Sequence, residues 1–407
     1  MCLRTVELSR RSLLFSSLAL TLPHRLGARP NHRITGFELL PVRATERTVW
    51  LMVRLWTDGG LSGLGEASDA FGFAGTTKQN SQRMESELRR FFELVNRRSP
   101  LDIEAYRAAG EGIAVAGGLL SATAYSAIEQ ALWDLAGQSL EVPVSTLFGG
   151  AVRQSLPVYA NINRATKART PEGFAETARR AAADGFRAVK AAPFDGFPKP
   201  GSSSSEINAA ADLGIACTAA IREAVGADVE VMIDCHSFFD VPLAKTVAKR
   251  LEPYKLAWYE EPVAPERIEE LLEIRRAVNQ PIAGGEILFG VKGFAPLCRR
   301  KAADVIMPDV KHCGGLLEMS RIAAMAGADD VAVAPHNPSG PVSTAATVQI
   351  CAGMRNFRIL ELQWGEVSWR SELVIPSETF VRGSIEVASR PGFGIGLNDQ
   401  LVRAHLL

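Results

Sequence analysis

One period organises most of this 407-residue chain. Beyond residue 150, short apolar runs alternate with helical stretches, and a polar residue closes run after run. Asp234, Glu260, Glu286, Asp309, His336 and Glu361 follow one another at steps of 26, 26, 23, 27 and 25 residues. Each step has room for one strand, one helix and their connections. Strands that alternate with helices need crossovers, and crossovers make the strands parallel. Eight strand candidates lie between 151 and 374: 156–162, 188–194, 229–234, 257–260, 282–284, 305–307, 331–334 and 358–362. The pattern predicts an α/β protein built on a (β/α)8-type barrel. In such a barrel the strand ends share one mouth, so the six polar residues are expected at one site.

Residues 32–150 lack this period and read as an α+β capping domain. The runs 34–42 and 48–57 are rich in β-branched and aromatic residues, and Asp58-Gly59-Gly60 marks a turn after the second. Helical periodicity follows at 78–96 and 121–136, where Ala124, Ile128, Ala131 and Leu135 share a face. Residues 375–407 have no strand–helix unit left to make and are expected to pack back on the capping domain. The low-complexity stretch 198–205 reads as a solvent loop.

Residues 1–31 look like an export signal. Arg4, Arg10 and Arg11 precede the apolar stretch 13–22, and small residues follow at 26–28. Ser9-Arg10-Arg11-Ser12 resembles a twin-arginine signal, which implies a periplasmic protein. The alternative is a cytoplasmic protein with a chance arginine pair in its tail. No run of about 18 apolar residues suggests a membrane span. Lys+Arg 45 balances Asp+Glu 45, which argues against a nucleic-acid partner. The six cysteines show no framework spacing, so disulfide and zinc scaffolds are not expected.

Three carboxylates meeting in one pocket repel one another, and a divalent cation resolves the conflict. The all-oxygen set Asp234, Glu260 and Glu286 suits Mg²⁺ better than zinc or copper. Separate N-caps would explain one such acid less demandingly than three in register. His236 stands two residues after Asp234, on the same face if the strand continues. His336 closes the seventh strand, and Asp309 on the sixth could orient its ring. Lys190 ends the second strand and either contacts an anionic substrate or snorkels at the rim. His24, His32, His312 and His405 lack such placement and read as structural or solvent-facing.

These motifs resemble the enolase superfamily, in its mandelate racemase-like branch, and are similar to those of its acid-sugar dehydratases. The resemblance spans nearly all of 34–400. It rests on Ala131-Leu132-Trp133-Asp134, Asp234-Cys235-His236, Glu260-Glu261-Pro262, Gly285-Glu286, Pro308-Asp309, the segment 335–341 and Pro391-Gly392-Phe393-Gly394. It implies a capped barrel with one Mg²⁺ per subunit on Asp234, Glu260 and Glu286. It also implies a His336–Asp309 dyad, a strand-eight acid at Glu361 that hydrogen-bonds the enediolate, and a second histidine at His236. Where racemase-type members carry Lys-x-Lys, this chain has Lys190 and Ala192, which favours a His/His pair. The loop 69–77 is this chain's own. The implied reaction removes the proton α to a carboxylate and eliminates the 3-hydroxyl, giving a 2-keto-3-deoxy acid. A hydroxy-acid racemase or epimerase using the same enolate is the alternative. The implied partner is a small carboxylate, and the implied assembly a homo-oligomer.

Overall fold

A computed structural model describes residues 32–72 and 75–407; the export-signal reading of 1–31 lies outside them. Strands β1 (Ile34–Arg43), β2 (Val49–Thr57) and β3 (Ser62–Glu66) form an antiparallel sheet in sequence order. Helices α1 (Lys78–Phe92), α2 (Ile103–Ala116) and α3 (Gly118–Ser139) pack against it. The sequence reading did not anticipate α2. β3 can lie directly on α3 because of two glycines. A Cβ at Gly65 would stand 2.1 Å from the Ala127 carbonyl oxygen, and one at Gly63 would stand 2.4 Å from that of Ala131.

After the short α4 (Val144–Leu147) the strand–helix alternation begins. It runs β4 (Ser155–Asn161), α5 (Pro171–Ala183), β5 (Ala188–Ala191), α6 (Ser204–Val225), β6 (Glu230–Asp234), α7 (Val241–Leu251), β7 (Trp258–Glu260) and α8 (Ile268–Ala277). It continues with β8 (Ile282–Gly284), α9 (Gly290–Arg299), β9 (Val305–Ile306), α10 (Gly315–Ala328), β10 (Ala332–Val333), α11 (Pro341–Cys351) and β11 (Leu360–Gln363). Each of β4 to β9 pairs in parallel with the next. β11 pairs with β4, and a bridge from Val333 to Phe357 closes the ring. The strands are short, so the barrel wall depends on apolar filling. Tyr159, Met232, Trp258, Val305 and Met307 form one cluster within it, and a larger cluster lies between strands and helices. The five cysteines among the described residues are free and buried, as expected of small apolar side chains.

The serine run does not stay a loop. Ser203 caps α6, its hydroxyl accepting from Glu206 N while the Glu206 carboxylate accepts from Ser203 N. The C-terminal segment carries β12 (Val374–Ile375), β13 (Phe380–Val381), β14 (Ser384–Glu386), β15 (Gly396–Leu397) and α12 (Asp399–Ala404). It touches both sheets: β14 pairs antiparallel with β4, and Leu407 N donates to Pro41 O on β1 at 2.9 Å.

Asp134 ties three pieces together. Its carboxylate, buried on α3, accepts from Leu64 N (2.9 Å) on β3, Phe393 N (2.7 Å) and Gln138 Nε2 (3.1 Å). Asp134→Ala orphans two buried N–H groups and is expected to lower stability by about 3 kcal/mol. Asp134→Asn, which keeps one acceptor, should lose less. Urea unfolding of both variants checks the order; equal, native stability would contradict it.

Candidate metal centre and active site

β6 ends on Asp234 and β7 on Glu260, and these two are register partners across the ladder. Glu286 stands two residues past β8, after Gly285, whose φ of 106° few L side chains adopt. One oxygen from each of the three carboxylates lies within 4.8 Å of the others. Burial and the adjacent Asp234 push Glu260 well above the usual carboxylate range. Burial also opposes ionisation of Asp234, but His236 and Lys190 overcome it and hold that group low. Asp234 Oδ2 is buried and makes no hydrogen bond. That oxygen lies 3.3 Å from both Lys190 Nζ and His236 Nε2. Three hard oxygen donors fit a divalent cation.

Lys190 on β5 is not at the rim. Its side chain is 3% exposed, and Nζ lies 2.7 Å from Glu260, 3.0 Å from Glu361 and 3.3 Å from Asp234. A snorkelling lysine would keep its ammonium in water; this one is enclosed by carboxylates. Burial works against the ammonium, yet Glu260 and Glu361 hold its pKa well above the usual lysine value.

Three imidazoles, those of His236, His312 and His336, line one cavity of about 150 Å³, which Asp234, Glu286 and Lys190 also line. His336 follows β10, and its Nδ1 is 2.7 Å from Asp309 Oδ2. A carboxylate only accepts, so Nδ1 carries the proton and Nε2 is the working atom. Nε2 lies 3.3 Å from Glu286. Burial lowers the pKa of His336, but Glu286 and Asp309 raise it above the ordinary value. Asp309 also accepts from Lys311 Nζ at 2.6 Å and Lys311 N at 2.8 Å. Burial opposes its charge, yet Lys311 and the hydrogen bond from His336 hold its carboxyl far below the usual range.

His236 is not a strand residue. β6 stops at Asp234, and His236 sits in a left-handed turn with φ 43°. The turn, rather than strand alternation, aims it at the cavity. Its Nδ1 is 2.6 Å from Asp195 Oδ1, and its Nε2 is 3.3 Å from Asp234. Burial works against its charge, but Asp234 and Asp195 push its pKa up to about 10.

Glu361 has a different place from the one expected. It is fully buried and does not line the cavity. Oε1 accepts from Asn161 Nδ2 (2.8 Å) and lies beside Lys190, while Oε2 accepts from Asn337 N (2.8 Å). Burial opposes its charge, but Lys190 and His336 lower its pKa. An ionised carboxylate has no proton to donate to an enediolate. Its oxygens instead hold Lys190 and Asn161, which do line the cavity.

Sequence reasoning missed several residues that line the cavity or hold its side chains. Asn161 closes β4 and pairs in register with Lys190 on β5, so the strand-end rule could have found it. Asp195 lies in the loop after β5 and is fixed by Asn163 Nδ2 at 2.7 Å. Arg164 links the barrel to the capping loop through Asp69 at 3.1 Å. His312 was read as structural or solvent-facing; it is 2% exposed and lines the cavity. Of the other histidines, His405 stacks on Trp369 with centroids 3.9 Å apart, away from this site.

Comparison with known proteins agrees with this geometry. Residues 39–149 match the model for the mandelate racemase / muconate lactonizing enzyme N-terminal domain, and residues 173–401 match that for enolase C-terminal domain-like proteins. D-xylonate dehydratase of Haloferax volcanii is 32% identical over 370 residues, covering 88% of this chain and 85% of the relative. D-galactonate dehydratase of Pectobacterium atrosepticum is 31% identical over 367 residues, covering 87% and 90%. The crystal structure of a mandelate racemase/muconate lactonizing enzyme-like protein from Rubrobacter xylanophilus superposes with a TM-score of 0.83. It is 32% identical and covers 93% of this chain and 98% of that one.

Proposed function

This chain belongs to the mandelate racemase / muconate lactonizing enzyme family of the enolase superfamily, and on that premise we propose that it is a Mg²⁺-dependent sugar-acid dehydratase. One observation carries the reading. Two imidazoles, each with Nδ1 tied to a carboxylate, present Nε2 to a cavity lined by Asp234 and Glu286, two members of an all-carboxylate triad completed by the buried Glu260. The relatives that are named dehydratases of galactonate and xylonate support the same substrate class.

Asp234, Glu260 and Glu286 would hold the ion, which when bound supplies a Lewis acid for the substrate carboxylate. His336, oriented by Asp309, takes the proton α to that carboxylate on Nε2. Lys190 places a fixed positive charge where the enediolate charge develops. Glu361 and Asn161 keep Lys190 in position. His236, held protonated by Asp195 and Asp234, gives its Nε2 proton to the departing 3-hydroxyl, which leaves as water. The enol then tautomerises to the 2-keto-3-deoxy acid, with no net oxidation.

Within this reading, 32–150 act as the capping domain, 151–374 as the catalytic barrel and 375–407 as a strap. We place the protein in the periplasm as a homo-oligomer, to be checked by fractionation and light scattering. No helix among the described residues is long and apolar enough to cross a membrane.

The test is a panel of aldonic and aldaric acids with Mg²⁺, read as 2-keto acid formation. EDTA-sensitive product from at least one acid is expected. Deuterium entering the α position from solvent, with no keto acid from any substrate, would replace dehydration by racemisation or epimerisation.

A further inference from the structure

His312 stands three residues past Asp309, in the loop between β9 and α10, and no step above uses it. Its place is fixed from the capping domain. Thr123 on α3 has its Oγ1 2.9 Å from His312 Nδ1 and 2.7 Å from the Leu119 carbonyl oxygen. A hydroxyl has one proton, and a carbonyl oxygen can only accept. Thr123 therefore donates to Leu119 and accepts from His312, so Nδ1 carries the imidazole proton.

The other ring nitrogen is then settled. Nε2 lies 3.9 Å from Asp309 Oδ2, too far for a hydrogen bond, and makes no other among the described residues. Asp309 is already engaged by Lys311 and His336. Burial pushes the pKa of His312 down to about 4, with Lys311 and His336 adding to the fall against Asp309. The ring is neutral, and Nε2 is a lone pair in a cavity wall.

We infer that His312 is a specificity-determining residue: its Nε2 accepts a hydrogen bond from a hydroxyl of the sugar acid, with Thr123 as the positioning residue that fixes the tautomer. This rests on the dehydratase reading and deepens it. A carboxylate or phosphate group offers Nε2 no proton, so this wall reads an alcohol. Because a buried acceptor left unpaired is costly, an epimer that turns the hydroxyl away is rejected. A residue on α3 thereby takes part in substrate choice without touching substrate.

The experiment compares wild type with His312→Leu, Thr123→Val and Thr123→Ser on the best acid of the panel and its single-carbon epimers. Mg²⁺ affinity and melting temperature report folding. His312→Leu is expected to lose about 10- to 100-fold in kcat/KM on the best acid, mainly through KM. The preference over one epimer should shrink by a similar factor. Thr123→Val should shift the same preference by a smaller factor, and Thr123→Ser should restore it. A native epimer ratio in folded His312→Leu overturns the inference, and so does Thr123→Val if it lowers turnover of all epimers equally. A wild-type protein that converts no acid sinks the dehydratase reading and this inference with it.

Discussion

His336→Asn is expected to lower turnover by about 10²- to 10⁴-fold, the usual contribution of a positioned general base, while Mg²⁺ binding stays native. The two effects separate because of where the ring sits. His336 reaches the triad only through Nε2, 3.3 Å from Glu286, and its other nitrogen is committed to Asp309. Asparagine can keep the bond to Asp309 but cannot take a proton. Loss of α-proton exchange with solvent, measured beside turnover, identifies the missing step. Near-native exchange in the variant would remove His336 as the base.

The pH dependence has a defined sign. A base must be neutral to accept a proton, so kcat/KM falls as pH drops through the pKa of His336. Glu286 and Asp309 raise that pKa, and Lys311 offsets part of the Asp309 effect by sharing its Oδ2. A cation on the triad opposes Glu286 most directly and lowers the pKa again. The acid limb should therefore lie at lower pH in saturating Mg²⁺ than in limiting Mg²⁺.

The barrel period was legible because each strand–helix unit has nearly the same length, and the strand-end rule turns that period into convergence. It brought Asp234, Glu260, Glu286, Asp309 and His336 to attention before any coordinates. Lys190 was half legible: its strand end was clear, but burial among three carboxylates depends on which side chains fill the barrel interior. Glu361 obeyed the period yet lies beneath the cavity floor, since β11 places it one pleat below Gln363, which lines the cavity. His312 was illegible for another reason. Its neighbour Thr123 is 189 residues away in sequence, and only the docking of α3 onto the β9–α10 loop brings them together. The contact of β3 with α3 through Gly63 and Gly65 is also a tertiary fact, since nothing local marks those glycines.

Glu286→Gln is the substitution that separates metal binding from fold. Asp234 and Glu260 both neutralise Lys190, so removing either charge also strips a partner from a buried ammonium, a change that is expensive in itself. Glu286 has no such tie. It is the most exposed of the three, and among the described residues it forms an ion pair with His336. Its amide replacement keeps the shape and removes one charge from the ligand set. The variant is expected to bind Mg²⁺ at least about 100-fold more weakly, since a charged oxygen ligand carries much of a hard cation's affinity. Turnover should fall below detection at Mg²⁺ concentrations that saturate wild type. An ion that binds only the folded state adds about 2.7 kcal/mol at a hundred times its Kd. Wild-type protein should accordingly melt several degrees lower in EDTA, while Glu286→Gln melts at one temperature with or without chelator. Calorimetric titration and paired melting curves decide the matter: native affinity together with a native EDTA shift would mean that the ion sits elsewhere.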